Sequence, residues 1–232
     1  FVIALGFFAL IRTPMQEPQH AHRRTMNVVA DMKEAARYAR EDRVVLALLS
    51  SKATFAIGAG VVSQLPVLAT EVFGWGDGGT GLLLGARGLG AGLGPIIASR
   101  FARGELSRVL RICGYASMLF SLLYLSAAWM PKLLLAVVVI SIAHLGGGSQ
   151  WTLSTYGLQL RTPDHIRGRV MAGDFAIVTL VMSITSLTAG LVSEAVGVRW
   201  TITAFACAAS IASVIYITLT RPVIRSLERG ES

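Results

Sequence analysis

Charged residues are scarce in this chain, and their scarcity excludes an ordinary soluble domain. Only 15% of the 232 residues are Asp, Glu, Lys or Arg, against about 25% in soluble proteins. Cysteine is also rare: Cys113 and Cys207 stand apart inside apolar stretches, which excludes a disulfide framework and offers no metal-ligand spacing. The sequence contains no Walker-type phosphate-binding motif. We therefore expect no cofactor and no metal.

What the chain has in abundance is apolar residues, which make up 53% of it and are gathered into long blocks. A helix needs about 20 apolar residues to cross a hydrocarbon core about 30 Å thick, and six blocks reach that length. They predict an all-α fold, a polytopic transmembrane helix bundle. The predicted spans are 44–65, 78–101, 109–129, 133–157, 170–192 and 200–219.

The chain before the first block divides in two. Residues 1–12 are an apolar run too short to cross a bilayer, which we interpret as the end of a truncated transmembrane helix, so we expect the chain to be a fragment. Residues 13–43 are a polar linker, in which 27–40 predicts an amphipathic helix with apolar residues at helical spacing. Residues 44–220 form the six-helix transmembrane bundle, and 221–232 form a polar tail.

The 21 Lys and Arg residues are distributed unevenly between the loops. Seventeen lie in the linker, in the loops after the second and fourth blocks and in the tail, whereas Lys132 and Arg199 lie on the opposite side. Because cytoplasmic loops carry the excess of Lys and Arg, the linker and the tail are predicted to be cytoplasmic. The same rule explains the formal net charge of +8 without nucleic acid. The partner we expect is the lipid bilayer.

Two stretches resemble a known family. Gly81 to Pro95, followed by Arg103, is similar to the eighth helix of the major facilitator superfamily and the loop after it. Arg161 to Met171 resembles the loop before that family's eleventh helix and is typical of the bacterial multidrug and siderophore exporter branch. The family's usual loop Asp is absent here, since Ala98 and Ser99 occupy its region.

The resemblance implies the second half of a two-bundle carrier in the inner membrane of a bacterium. It implies a secondary active transporter that exports small molecules by alternating access, driven by a proton or other ion gradient, as an antiporter would be. A missing N-terminal six-helix half and a small-molecule substrate near the membrane midplane are further implied partners. Two alternatives stay open: a non-transporting scaffold or receptor subunit, and an intramembrane enzyme, for which the sequence offers no catalytic constellation.

Two cations fall inside the predicted spans. At about 1.5 Å per residue, Lys52 lies about 12 Å deep from one side and Arg87 about 13 Å deep from the other. A cation at such depth costs at least about 2.5 kcal/mol, so we expect both to face the bundle interior or a watery cavity. The nearest acids, Asp174 among them, fall near the ends of the predicted spans. A carboxylate from the missing half, or an anionic substrate, is therefore the expected partner, either in a fixed ion pair or in transport itself.

The fourth span carries polar residues around three consecutive glycines. His144 suits a proton carrier because His titrates near neutral pH. Gln150 and Trp151 could hydrogen-bond and stack with a substrate. The alternative is a hinge centred on Gly147 with a satisfied polar cluster, since glycine permits a helix to bend.

Four glycines of the second span recur at helical spacing, which predicts close packing against another helix. They are Gly81, Gly85, Gly88 and Gly92.

Pro66, at the far end of the first span, predicts a bend that could serve gating.

The basic loops carry a last set of candidate residues. Asp164 is predicted to cap the following helix. Arg167 and Arg169 fall within reach of lipid phosphates or of Asp174. Together with Arg103 we interpret them as a structural latch or a topology signal, and no residue of the chain is predicted to be catalytic.

Overall fold

The computed structural model describes Gly6, Leu10 and residues 28–231. The predicted truncated helix at 1–12, apart from those two residues, and the predicted helix start at Asn27 lie outside the described residues. Between 28 and 231 the chain is almost entirely helical and contains no β-strand, which confirms the all-α prediction.

Nine α-helices and one π-helical turn follow one another between residues 28 and 231. They are α1 (Val28–Glu41), α2 (Arg43–Gly58), α3 (Gly60–Ser63), α4 (Leu65–Val67), the π turn (Leu68–Val72), α5 (Gly76–Ala102), α6 (Leu106–Ala127), α7 (Leu133–Arg161), α8 (Asp164–Val196) and α9 (Val198–Arg229). The segment from α2 to the π turn forms one span of 30 residues, Arg43–Val72, and α5 to α9 form five more. The described residues thus contain six helices long and apolar enough to cross a membrane, as predicted.

The helices extend beyond the apolar blocks at one end of the bundle, which we call the basic end. Here α2, α6 and α8 begin and α5, α7 and α9 end. Hydropathy predicted the last two spans as 170–192 and 200–219, whereas α8 already begins at Asp164 and α9 continues to Arg229. The reason is that an apolar block measures only the hydrocarbon part of a membrane, while a helix can continue through the polar headgroup layer.

The first span is interrupted before Pro66. Regular helix stops at Ser63, restarts at Leu65 and passes into the π turn. Proline has no N–H to donate, and its ring collides with the carbonyl four residues earlier, here that of Val62. The predicted bend therefore corresponds to a break in helical hydrogen bonding, and its role in gating stays a prediction.

The spans differ strongly in how deeply they are buried within the bundle. In the most apolar 18-residue window of each, 72% of the first span is buried but only 11% of α8. The first span is therefore central, and α8 is peripheral. Exposed leucines such as Leu180 and Leu187 cover α8, as expected where a helix faces lipid tails rather than water.

The packing face of α5 is opposite to the predicted one. Gly94 packs so closely against α7 that a Cβ atom there would lie 2.2 Å from the carbonyl oxygen of Leu145. Gly85 is nine residues away, which at about 100° per residue places it on the other side of the helix. The predicted stripe has no non-neighbouring atom within 4 Å of where a Cβ would be, at Gly81, Gly85, Gly88 and Gly92. The prediction that it packs is wrong for the described part of the chain.

The three consecutive glycines do not interrupt α7, which is one helix from Leu133 to Arg161. A Cβ at Gly146 would lie 2.4 Å from the carbonyl oxygen of Ala116 on α6, and one at Gly148 would lie 2.4 Å from that of Ala91 on α5. The glycines thus allow neighbouring helix backbones to approach α7 on two sides. Bending at Gly147 during transport stays a prediction.

Candidate functional site

A buried ion pair joins the central span to the peripheral one. The ammonium group of Lys52 on α2 contacts a carboxylate oxygen of Asp174 on α8. The two residues are 3% and 4% exposed, so the pair is shielded from solvent. Two charges at this depth are tolerated because each neutralises and hydrogen-bonds the other.

This pair corrects the expectation that the partner of Lys52 comes from outside the chain. Lys52 lies nine residues after the start of α2, and Asp174 lies ten residues after the start of α8. Both helices begin at the basic end, so at 1.5 Å per residue the two residues share a depth of about 14–15 Å. Counting from the first apolar residue at 170 placed Asp174 too near the membrane surface.

An aromatic ring and a small cavity lie next to the pair. The Lys52 ammonium lies 5.2 Å from the centre of the Trp151 ring on α7, a cation–π distance. A cavity of about 20 Å³ adjoins the pair on the α8 side, above the roughly 10–15 Å³ that one water molecule needs. The pair is therefore close to a small internal space and is not embedded in solid packing.

A chain of buried hydrogen bonds runs beside the ion pair and connects four helices. The Gln150 amide of α7 donates to the carbonyl of Ser51 and to the hydroxyl of Thr54, both on α2. Thr54 hydrogen-bonds Ser117 of α6 at 2.8 Å, and Ser117 hydrogen-bonds Ser213 of α9 at 2.6 Å. Gln150 is fully buried in this network, so the structure differs from the predicted substrate contact and places it between helices.

A larger cavity of about 270 Å³ opens between α2, α5, α7 and α8. Phe55 and Trp151 form its aromatic wall, with ring centres 5.9 Å apart in an edge-on arrangement. Arg87 of α5 also lines this cavity and is exposed to it. Among the ion pairs of the described chain none includes Arg87, so the cavity contains a cation with no carboxylate partner there.

His144 lies at the edge of the same cavity but is turned toward the bundle core. Its Nε2 forms a 2.8 Å hydrogen bond with the Tyr124 hydroxyl, and the residue is only 2% exposed. The rings of Phe120 and Tyr124 pack edge-on against the imidazole. Of the two hypotheses for His144, this geometry supports a satisfied polar cluster over a proton carrier. Tyr124 has no signal in the sequence alone, because its partner is on another helix.

At the basic end, ion pairs fasten the linker helix α1 to the bundle. Arg169 of α8 contacts Asp31 at 3.2 Å and Glu34 at 2.6 Å, both on α1. Asp42 caps α2 by accepting hydrogen bonds from its first turn and also contacts Arg161 of α7 at 2.7 Å. Of the residues predicted to form a latch, Arg169 contacts α1, whereas Arg167 pairs within its own helix. Lipid phosphates and Asp174 were the two predicted partners of Arg169. Among the ion pairs of the described residues, Arg169 does not contact Asp174.

Three loop residues differ in detail from their predictions. Asp164 does not cap α8, because Pro163 occupies the capping position and Asp164 is already the first helical residue. Its carboxylate contacts Arg167 one turn later instead of the backbone, and Arg167 does not pair with Asp174. Arg103 ends α5 in a left-handed conformation, with φ of 47°, at the turn into α6.

The six spans, the mid-depth ion pair and the cavity beside it define a class: a polytopic helical membrane protein with a polar interior. The chain belongs to the transmembrane secretion effector family of the major facilitator superfamily, whose family model matches residues 2–231. No curated protein and no solved structure matches the chain. Family membership confirms the resemblance and points to transport rather than to catalysis.

Proposed function

We propose that this chain is one bundle of a secondary active transporter that exports small molecules. The observation that carries the proposal is the cavity of about 270 Å³, which places the unpaired cation Arg87 beside the aromatic wall of Phe55 and Trp151. Such a mostly apolar cavity with one oriented polar group is typical of a small-molecule site. The other wall is supplied by a second six-helix bundle, across which substrate binds near the midplane.

The substrate is an organic anion with an apolar or aromatic body. Arg87 is the cation available to it, because Lys52 is already neutralised by Asp174. A guanidinium group matches a carboxylate or phosphate by paired hydrogen bonds, and Phe55 and Trp151 match an apolar body. Lys52 and Arg87 were both candidates for binding an anionic substrate, and with Lys52 paired, Arg87 is the candidate that remains.

Ion coupling is assigned to the Lys52–Asp174 pair. Separating the pair would leave two unpaired charges in a low-dielectric interior. Protonation of Asp174 removes one of them, so a proton that binds to Asp174 favours separation from Lys52. The pair bridges the central span and α8, and a change in it would alter how these two helices pack. A proton gradient could then drive alternating access; a pair that only fixes one arrangement of the helices is the alternative.

The membrane is that of a bacterial cell, with the basic end in the cytoplasm. This placement is supported by seventeen Lys and Arg residues on the side of the linker and tail. A non-transporting scaffold or receptor subunit is a second candidate. Against it stands the energetic cost of keeping Arg87 at mid-depth without a carboxylate partner in the described chain.

Proteoliposome flux tests the function directly. The carrier containing this bundle and its partner bundle is reconstituted, and an outward proton gradient, acidic inside, is imposed. Uptake of a panel of aromatic carboxylates and aromatic cations is then followed. Gradient-dependent flux of carboxylates, lost in Arg87→Gln and retained in Arg87→Lys, is the expected result. Absence of gradient-dependent flux of any compound would favour the scaffold, and flux restricted to cations would overturn the assignment of Arg87.

A further inference from the structure

A further cavity lies at the basic end, between α6 and α9, and shares no lining residue with the cavity formed by Phe55, Trp151 and Arg87. Its volume is about 230 Å³, and its walls carry three arginines, a tyrosine and an acid. These residues are Arg111, Tyr115, Arg221, Arg225 and Glu228. Neither the family nor the transport cycle proposed above accounts for this groove, which we call the arginine groove.

The spacing of the sequence places these side chains on two facing helix surfaces. Arg221, Arg225 and Glu228 follow one another at intervals of four and three residues, so they share one face of α9. Arg111 and Tyr115 are four residues apart and share one face of α6. Gly114 lets the helices approach, since a Cβ there would lie 2.8 Å from the Ile217 side chain. The arginine groove is therefore a fixed feature of the α6–α9 contact.

The charges in the arginine groove do not cancel. Arg111 and Glu228 form an ion pair across it. Arg221 and Arg225 take part in no ion pair of the described chain, and both are exposed. Two guanidinium groups one helical turn apart therefore face the groove without an acidic partner, an arrangement that suits a phosphate group.

The depth of the groove matches the lipid headgroups. Trp129 and Trp200 stack edge-on, with ring centres 5.1 Å apart, at the opposite end of the bundle. Both are exposed, as tryptophans at a membrane interface are. Arg221 follows Trp200 by 21 residues, or about 32 Å along the helix, close to the about 30 Å thickness of the hydrocarbon core. Arg221 thus lies at the phosphate level of the other leaflet.

We propose that the arginine groove binds the phosphate of an anionic phospholipid. Arg221 and Arg225 hold the phosphate oxygens, and the acyl chains lie along the apolar seam of α6 and α9 below Tyr115. Basic pockets between transmembrane helices bind acidic headgroups through the same electrostatic attraction. The exposed Tyr115 ring stands on the hydrocarbon side of Arg111, where an amphipathic ring can contact both chain and headgroup.

The test is native mass spectrometry of the detergent-solubilised chain, titrated with phosphatidylglycerol and, separately, with phosphatidylcholine. The variant R221Q/R225Q removes the two unpaired charges from the groove. The matched control, R37Q/R40Q, removes two exposed arginines from α1, which lies at the same end of the bundle. Inorganic phosphate and glycerol phosphate are added in a further arm, to separate a lipid from a soluble phosphate.

We expect phosphatidylglycerol to bind the unchanged chain more tightly than phosphatidylcholine, and R221Q/R225Q to weaken that binding about tenfold or more while R37Q/R40Q changes it little. Equal losses in the two variants would mean diffuse attraction to a basic surface and would overturn the proposal. Unchanged binding in R221Q/R225Q would overturn it as well. Competition by glycerol phosphate at concentrations similar to the lipid would assign the groove to a soluble ligand instead.

Discussion

Lys52 and Asp174 pair across the boundary between the most buried and the least buried span of the bundle. Their partnership connects two helices that are far apart in sequence and that expose very different fractions of their surface. A buried pair of this kind contributes little net stability while intact, but removing one partner leaves an uncompensated charge. Substitutions of these two residues can therefore distinguish a role of the pair in stability from a role in transport.

Removing one charge of the pair should destabilise the bundle more than removing both. Lys52→Met or Asp174→Leu alone is expected to cost about 3–5 kcal/mol, whereas the double variant should recover most of that stability. Thermal unfolding in detergent micelles measures the difference. If the double variant is stable but does not couple transport to a pH gradient, the pair has a role in coupling. If it still couples, the pair is only structural.

Arg87 should affect transport without affecting folding. Arg87 is exposed to the cavity and has no carboxylate partner among the described residues, so Arg87→Gln removes no ion pair. It should not lower the free energy of unfolding by more than about 0.5 kcal/mol. Binding of aromatic carboxylates, measured by quenching of tryptophan fluorescence, should weaken and be restored in Arg87→Lys. Unfolding of Arg87→Gln would instead indicate a structural partner for this cation.

The two faces of α5 should respond oppositely to the same substitution. Gly94→Ala inserts a methyl group against the backbone of α7 and should cost about 1–3 kcal/mol. Gly85→Ala meets no atom within 4 Å and should be neutral or stabilising by up to about 1 kcal/mol, since alanine is the better helix former. Unfolding of both variants of this chain in one detergent gives the comparison. Equal destabilisation would contradict the assigned packing face.

The hydrogen bond between Tyr124 and His144 should matter for stability but not for proton coupling. Tyr124→Phe leaves the imidazole Nε2 buried without a partner and should cost about 1–3 kcal/mol. His144→Gln can keep a hydrogen bond to Tyr124, so flux driven by a pH gradient should persist. Loss of gradient dependence in His144→Gln, with flux down a substrate gradient intact, would restore His144 as a proton carrier.

Arg169 should hold the linker helix on the bundle. Arg169→Gln removes its contacts with Asp31 and Glu34 and should speed hydrogen exchange of residues 28–41 by severalfold, because such a partly exposed contact is worth about 0.2–1 kcal/mol per pair. Arg167→Gln is the control, since Arg167 contacts Asp164 of its own helix. Raising the salt concentration should loosen α1 in the unchanged chain and have little effect in Arg169→Gln.

The number and order of the spans could be predicted from the sequence itself, and their direction stays a prediction. A hydrocarbon core demands about 20 apolar residues per helix, and the distribution of Lys and Arg predicts on which side each loop lies. The family resemblance of Gly81 to Pro95 and of Arg161 to Met171 was also visible in the sequence, and it is confirmed over residues 2–231. These features are local, so they need no knowledge of which helices touch.

The partners across helices were decided only by the tertiary structure. Asp174 was assigned to a span end because hydropathy does not locate where a helix begins in the headgroup layer. Pro163 was the signal in the sequence that could have located this helix start, because α8 begins at the next residue. The packing face of α5 was misassigned because both Gly85 and Gly94 lie on small-residue faces of one helix, and only the position of α7 selects between them. Gln150 and His144 were predicted as polar groups at depth, but which neighbours satisfy them depends on how the helices are arranged around α7.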